Sequence, residues 1–348
     1  MNAGQIRELS ARVQHNCHIS DARHGGDYQL CTFLMKMREY YRWEMGLPLG
    51  ARLPKDQVGA WLAEREQYWE QIEEDDYLPL EIDGAVLDPF AVEPINQRLE
   101  TVGLVYGAGL GRHAKPHFFL AQLRERQRPD GCQLVISDRE YARDLGAPPA
   151  MSQGDTIYLR RESLRRLLWE KLESWRWNRP DNALGRAFAC YDFDGDLDAS
   201  LDAMTDLALD VARLHELGEC QAGRLLGEGW EAMLLDLVGT PAEILARAVR
   251  DHLADCLVSL PVLIQEDRAA AWHFYVGYQT PLGRELFPSL ERAYQDWLVS
   301  GDLAALTRLA SVGRDHWERL ARRLMERHGA AGSGAAADIN RWVRESAC

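Results

Sequence analysis

Cysteine is sparse and scattered in this sequence: seven residues, at positions 17, 31, 132, 190, 220, 256 and 348, with no CxxC among them. An odd, scattered set speaks against a disulfide framework and a zinc ribbon, and a reducing compartment is the simpler expectation. No apolar run approaches the ~18 residues needed to cross a bilayer, so no membrane span is expected. The opening MNAGQIRELSARVQHN lacks the apolar stretch of a signal peptide. The expected location is the cytoplasm, and the expected source bacterial. Positive charge is in deficit: 40 Lys and Arg face 54 Asp and Glu, a net charge of −14. A nucleic-acid binder normally carries a basic surface, so that class is disfavoured. GxSxG, P-loop and kinase motifs are missing, as is any repeat of fixed period.

What is present is a globular composition. The 348 residues are 46% apolar and 27% charged, with eleven Trp and twelve Tyr to supply buried area. Residues 3–14 predict a short helix. Asp27 is expected to cap a second, YQLCTFLMKMREYYRWE, which Gly46 and Pro48 end. A third follows Pro54, over residues 56–75. Residues 78–160 are rich in β-formers separated by turn residues and predict a small antiparallel sheet. A clear helix, RESLRRLLWEKLESWRW, spans 161–177. Helical segments are then expected at 199–217, 221–238, 241–260, 265–277, 284–299 and 302–328, and GAAGSGAAA (329–337) reads as a flexible linker. The predicted fold is mainly α, of the α+β class: N-terminal helices with a small antiparallel sheet (1–185), a C-terminal helical bundle (186–328), and a linker and tail (329–348).

Four stretches carry chemistry-bearing residues. QHNCHISDARHGG (14–26) crowds His15, His18, Asp21 and His24 together. On a helix these four drift half a turn around the cylinder, whereas Cys17, Asp21, His24 and Cys31 share a stripe if the helix continues through Gly25-Gly26. A pair such as His15/His18 or His18/Asp21 can chelate; the alternative is a polar join between helices. In LHELGE and RDHLADC, His215/Glu219 are i,i+4 and His252/Asp255 i,i+3, both pairs flanking apolar stripes that face a bundle interior. Carboxylate-bridged metal proteins build sites from facing helices in this way, although the pattern is neither Glu-x-x-His nor HExxH. Buried polar contacts are the competing reading.

The third stretch, YGAGLGRHAKPH (106–117), sets three alternating glycines before Arg112, His113, Lys115 and His117. Backbone N–H groups and basic side chains there suit an anion, with Arg112 and Lys115 as ligand contacts, but GxGxG is not the dinucleotide fingerprint and a plain turn competes. The fourth, DFDGDLD (192–198), fails as a calcium loop, because Leu197 stands where the loop glycine belongs and Ala203 where glutamate belongs. Asp196 and Asp198 instead suit a helix N-terminus. The arginine-rich 159–179 reads as an internally paired helix, and MREYYRWE (37–44) as core plus an interdomain surface.

The stretches QHNCHISDARHGGDYQLCTFLMKMREYYRWE, GLGRHAKPHFF and APPAMSQGDTIYLRRESLRRLLWEK together resemble an uncharacterised bacterial protein family, over residues 14–177. The resemblance implies no activity and no site residues. The residues point first to a metal-dependent enzyme with His/carboxylate-ligated iron or zinc. The alternatives are a non-catalytic interaction or scaffold protein, and a phosphorylated-ligand binder using Arg112, Lys115 and the basic helix 159–179.

Overall fold

A computed structural model describes residues 1–111, 115–153 and 156–348, apart from the side chains of Asp130 and Gln153. Arg112 and His113 therefore lie outside the described residues. The chain divides into two compact units, Met1–Lys171 and Leu172–Cys348, where the sequence suggests a boundary at 185/186.

In the first unit, α1 runs from Ala3 to His24, started by a capping box in which Asn2 accepts from Gln5 N and the Gln5 side chain accepts from Asn2 N. The helix was expected to stop at 14. It continues because Asn16, His18, Ser20 and Asp21 of its second half are buried and each finds a hydrogen-bond partner. Asn16 exchanges two hydrogen bonds with the Leu78 backbone, and Gln14 does the same with Arg143. Gly25–Asp27 forms a 3-10 turn that ends it. Helix α2 (Leu30–Glu44) follows without the expected Asp27 cap: its N-cap is Gln29, and Asp27 lies 3.2 Å from His24 Nδ1 instead. Helix α3 (Lys55–Ile72) begins after Pro54.

Strands β1 (Leu80–Ile82) and β2 (Ala85–Leu87) form a hairpin, and α4 (Val92–Leu99) leads into a five-stranded sheet. Its strands are β3 (Leu104–Leu110), β4 (Pro116–Gln127), β5 (Gln133–Arg143), β6 (Ala150–Gln153) and β7 (Thr156–Arg160), in the order β3-β4-β5-β7-β6. The expected sheet was purely antiparallel; this one is mixed. Strand β6 is the return path, so β7 slots in between it and β5 and runs parallel to β5. Gly107 and Gly109 lie within β3, not in a loop. A Cβ at Gly107 would overlap the ring of Phe119, its cross-strand partner, so this glycine makes room for an aromatic. Leu9, Val13 and Cys17 of α1 cover the sheet beside Phe118, Leu120 and Ala121. A second core, Ile19, Tyr40, Trp61 and Trp69, joins α1 to α2 and α3.

Helix α5 (Arg161–Asn178) follows, and then α6 (Ala183–Ala189). The second unit is all helical. It contains α7 (Leu197–Leu226, capped by Asp196), α8 (Glu228–Asp236), α9 (Pro241–Ala254), α10 (Leu260–Glu266), α11 (Ala269–Tyr278), α12 (Pro281–Leu286), α13 (Pro288–Ser300), α14 (Ala304–Ala331) and α15 (Ala336–Glu345). Gly218, expected to end a helix, sits buried inside α7. There a Cβ would meet the Ala254 carbonyl oxygen at 2.4 Å, so the glycine admits the backbone at the end of α9. Between α9 and α10 the chain makes a π-turn, Asp255–Ser259. Pro261 has no N–H, and its ring crowds the carbonyl four residues back, so the regular ladder cannot run through it. The stretch 329–337 is not a flexible linker: α14 continues to Ala331, a 3-10 turn follows, and α15 docks by fully buried Ile339 and Val343. No helix among the described residues is long and apolar enough to cross a membrane.

Candidate functional site

The opening cluster does not converge. His15 Nδ1 lies 2.8 Å from the Tyr68 hydroxyl, and His24 pairs with Asp27. His18 is buried, with Arg65 Nη1 2.9 Å from its Nε2 and Trp69 Nε1 donating to its Nδ1 at 3.3 Å. Burial, with the Arg65 charge and His15 beside it, holds His18 well below the usual imidazole range. A guanidinium thus stands where a cation would have to approach. Asp21 is fully buried and faces the other way, accepting from Lys115 Nζ at 3.1 Å and Leu145 N at 2.7 Å. Burial pushes Asp21 up to about 6 against the pull of Lys115.

Lys115 is itself buried, and its charge goes to Asp21 rather than to an open anion site. Burial opposes that charge, but Asp21 and Asp144 hold the ammonium above its ordinary range. His117 Nδ1 lies 3.1 Å from Asp144 Oδ2, and Asp144 Oδ1 accepts from Ala147 N. Arg112 lies outside the described residues.

The second unit brings three of its four expected residues together. Helix α7 supplies His215 and Glu219 one turn apart, and the close approach at Gly218 sets them against the end of α9 and the π-turn. His215 Nδ1 sits 2.9 Å from Asp255 Oδ1, and its Nε2 3.4 Å from Glu219 Oε1. Asp255 is buried; it also accepts from Ser259 Oγ at 2.8 Å and the Tyr275 hydroxyl at 2.9 Å. Glu219 Oε2 accepts from Arg250 Nη2 at 2.7 Å. The fourth expected residue, His252, turns away and stacks on Trp317, with ring centroids 4.9 Å apart, against Phe287. Burial lowers its pKa to about 4.

Asp251 takes the place of His252. One ligand atom each from His215, Glu219 and Asp251 lie within 4.8 Å of one another, and all three residues are half-buried. This is the one such group of His, Cys, Asp and Glu among the described residues. Asp251 is not among the residues expected from the sequence, although the acid pair 251/255 at i,i+4 is a visible signal there.

The electrostatics suit a charged cluster. Burial works against the imidazolium, yet Asp255 and Glu219 hold His215 well above its usual range. Burial likewise opposes the Glu219 carboxylate, but His215 and Arg250 bring it down to about 2. Asp251 is pushed up to about 7 by burial and by the Glu219 charge. Its Oδ1 lies 3.6 Å from Arg250 Nη2, an ion pair too long for a hydrogen bond. Chemically, the group offers one imidazole nitrogen and two carboxylate oxygens on one side, with a buried carboxylate orienting the imidazole from the other. That arrangement suits a divalent ion or a shared proton.

No curated protein and no solved structure matches the chain. Two family models do. The N-terminal domain of a family of unknown function, DUF6866, matches residues 8–160, and the C-terminal domain of the same family matches 165–346. Both domains occur here in order and together span most of the sequence, so the chain belongs to the DUF6866 family.

Proposed function

We propose that this protein is a metal-dependent enzyme whose centre is His215, Glu219 and Asp251, holding zinc or ferrous iron. The observation that carries the reading is the spacing of the three donors. His215 Nε2 and Glu219 Oε1 stand 3.4 Å apart. Two bonds of ~2.0–2.1 Å at a tetrahedral ion impose a separation of about 3.3 Å, so an ion fits between them with little rearrangement. Arg250 holds the other oxygen of Glu219 and leaves Oε1 facing inward. Asp255 fixes the imidazole through Nδ1, the carboxylate–histidine support common behind metal ligands. Three protein ligands leave a fourth position for water, whose pKa a bound divalent ion lowers towards neutrality. The supported reaction class is metal-assisted hydrolysis.

Elemental analysis of untagged protein, stripped and then reloaded with zinc or ferrous iron, tests this. About one ion per chain is expected, lost in His215→Ala and kept in His18→Ala. Less than about a tenth of an ion per chain after reloading overturns it. One observation favours a second reading: Arg250 and His215 already neutralise Glu219 and Asp255. On that reading the cluster is a salt-linked brace in a non-catalytic interaction protein, and His215→Ala lowers stability without any ion being involved.

A further inference from the structure

The start of α2 is unusual for a helix in a folded unit. Its first two turns are exposed on nearly every side, yet they carry large apolar residues: Leu30 is 70% exposed, Leu34 45% and Met35 58%. Single exposed hydrophobics need no explanation, but Leu30 and Leu34 are one turn apart on the same helical face, with Phe33 beside them, a strip of the kind that marks an interaction surface. The patch borders a cleft of about 540 Å³ between the start of α2 and the end of α3, lined by Tyr28, Phe33 and Trp69. The α3 wall of that cleft carries Glu66, Glu70 and Glu73. Spacings of four and three put these carboxylates on one helical face. All three are exposed, and none has an ion-pair partner among the described residues.

We propose that this groove docks a basic amphipathic helix of another protein, its apolar face against Leu30, Phe33 and Leu34 and its Lys or Arg residues along Glu66, Glu70 and Glu73. Charge complementarity selects this occupant. An apolar strip beside a row of unspent carboxylates rewards cations flanking a hydrophobic face. A second copy of this chain carries a net charge of −14 and meets like charge there. An anionic bilayer is repelled by the same carboxylates. Every residue of this groove belongs to the first unit, whereas the His215 centre belongs to the second.

Cys31 provides a native reporter. It is an exposed free thiol within the patch, whereas Cys190, also exposed and free, lies in the other unit. The probe is a synthetic helix of about four turns with Leu on one face and Lys on the other; its Leu/Glu counterpart is the charge control. On the full-length protein, the Leu/Lys helix is expected to bind saturably and to slow maleimide labelling of Cys31, not of Cys190. Glu70→Lys and Leu34→Asp, both at exposed positions, are each expected to weaken binding about tenfold or more. Glu64→Lys makes the same charge change on the opposite face of α3 and is expected to shift binding less than about twofold. Four results overturn the proposal. These are no saturable binding, equal losses in Glu64→Lys and Glu70→Lys, equal binding of the Leu/Glu helix, and a dimer in sedimentation that Leu34→Asp dissolves, which assigns the groove to a second copy.

Discussion

Asp21 shows how a side chain with the chemistry of a ligand is used up by its surroundings. Its two oxygens are engaged by Lys115 and the Leu145 amide in the interior, where removing one member of an ion pair costs about 3–5 kcal/mol. Lys115→Met is therefore expected to destabilise the protein by about that much in urea titrations. Asp21→Asn/Lys115→Met is expected to recover at least ~1 kcal/mol of it, because no uncompensated charge remains. His18 makes a pH prediction. Its folded pKa is depressed, so below ~6.5 the unfolded chain takes up a proton that the native state refuses. Stability is then lost as pH falls through 6.5, by up to about 1.4 kcal/mol per unit until the folded pKa is reached. In His18→Gln, which keeps an acceptor without titrating, this part of the urea-midpoint slope between pH 7 and 5 is expected to vanish. His18 as a metal ligand was a fair reading of spacing, but spacing is silent about Arg65, which arrives from a helix 47 residues away.

Helix existence was legible from periodicity and breakers, and helix ends were not. Gly218 looked like a terminator because glycine is a poor helix former; in the fold it is the one residue small enough for α7 to meet the carbonyl of Ala254. Gly218→Ala gains up to ~1 kcal/mol of helix propensity, yet is expected to lose about 1–3 kcal/mol net through overpacking. Gly223, in the same helix with nothing within 4 Å of an added Cβ, is the control: Gly223→Ala is expected to raise the melting temperature. The two outcomes are compared by thermal unfolding. Similarly, the alanines and glycines of 329–337 suggest a linker, but α15 beyond them buries Ile339 completely. Ile339→Ala is expected to cost about 2–5 kcal/mol, where a dangling tail would lose nothing.

At the scale of the whole molecule, the two units allow metal binding to be separated from general stabilisation. A ligand held only by the native second unit stabilises that unit by about 2.7 kcal/mol at a hundredfold excess over Kd. Calorimetry of the full chain with zinc is expected to raise one transition and leave the one sensitive to His18→Gln unchanged; a shift of both, or of neither, argues against a centre at His215. Composition was enough to argue against a membrane-spanning helix, and local patterning was enough for a helical protein with a β-rich stretch at 78–160 and for the His215/Glu219 turn. These are properties of neighbours along the chain, which periodicity records. Whether Asp251 or His252 joins that turn depends on the rotation of α9 and on the π-turn before Pro261. Whether Lys115 meets a ligand or Asp21 depends on a contact spanning 94 residues. Such contacts follow from packing between distant segments, and no local pattern encodes their phase.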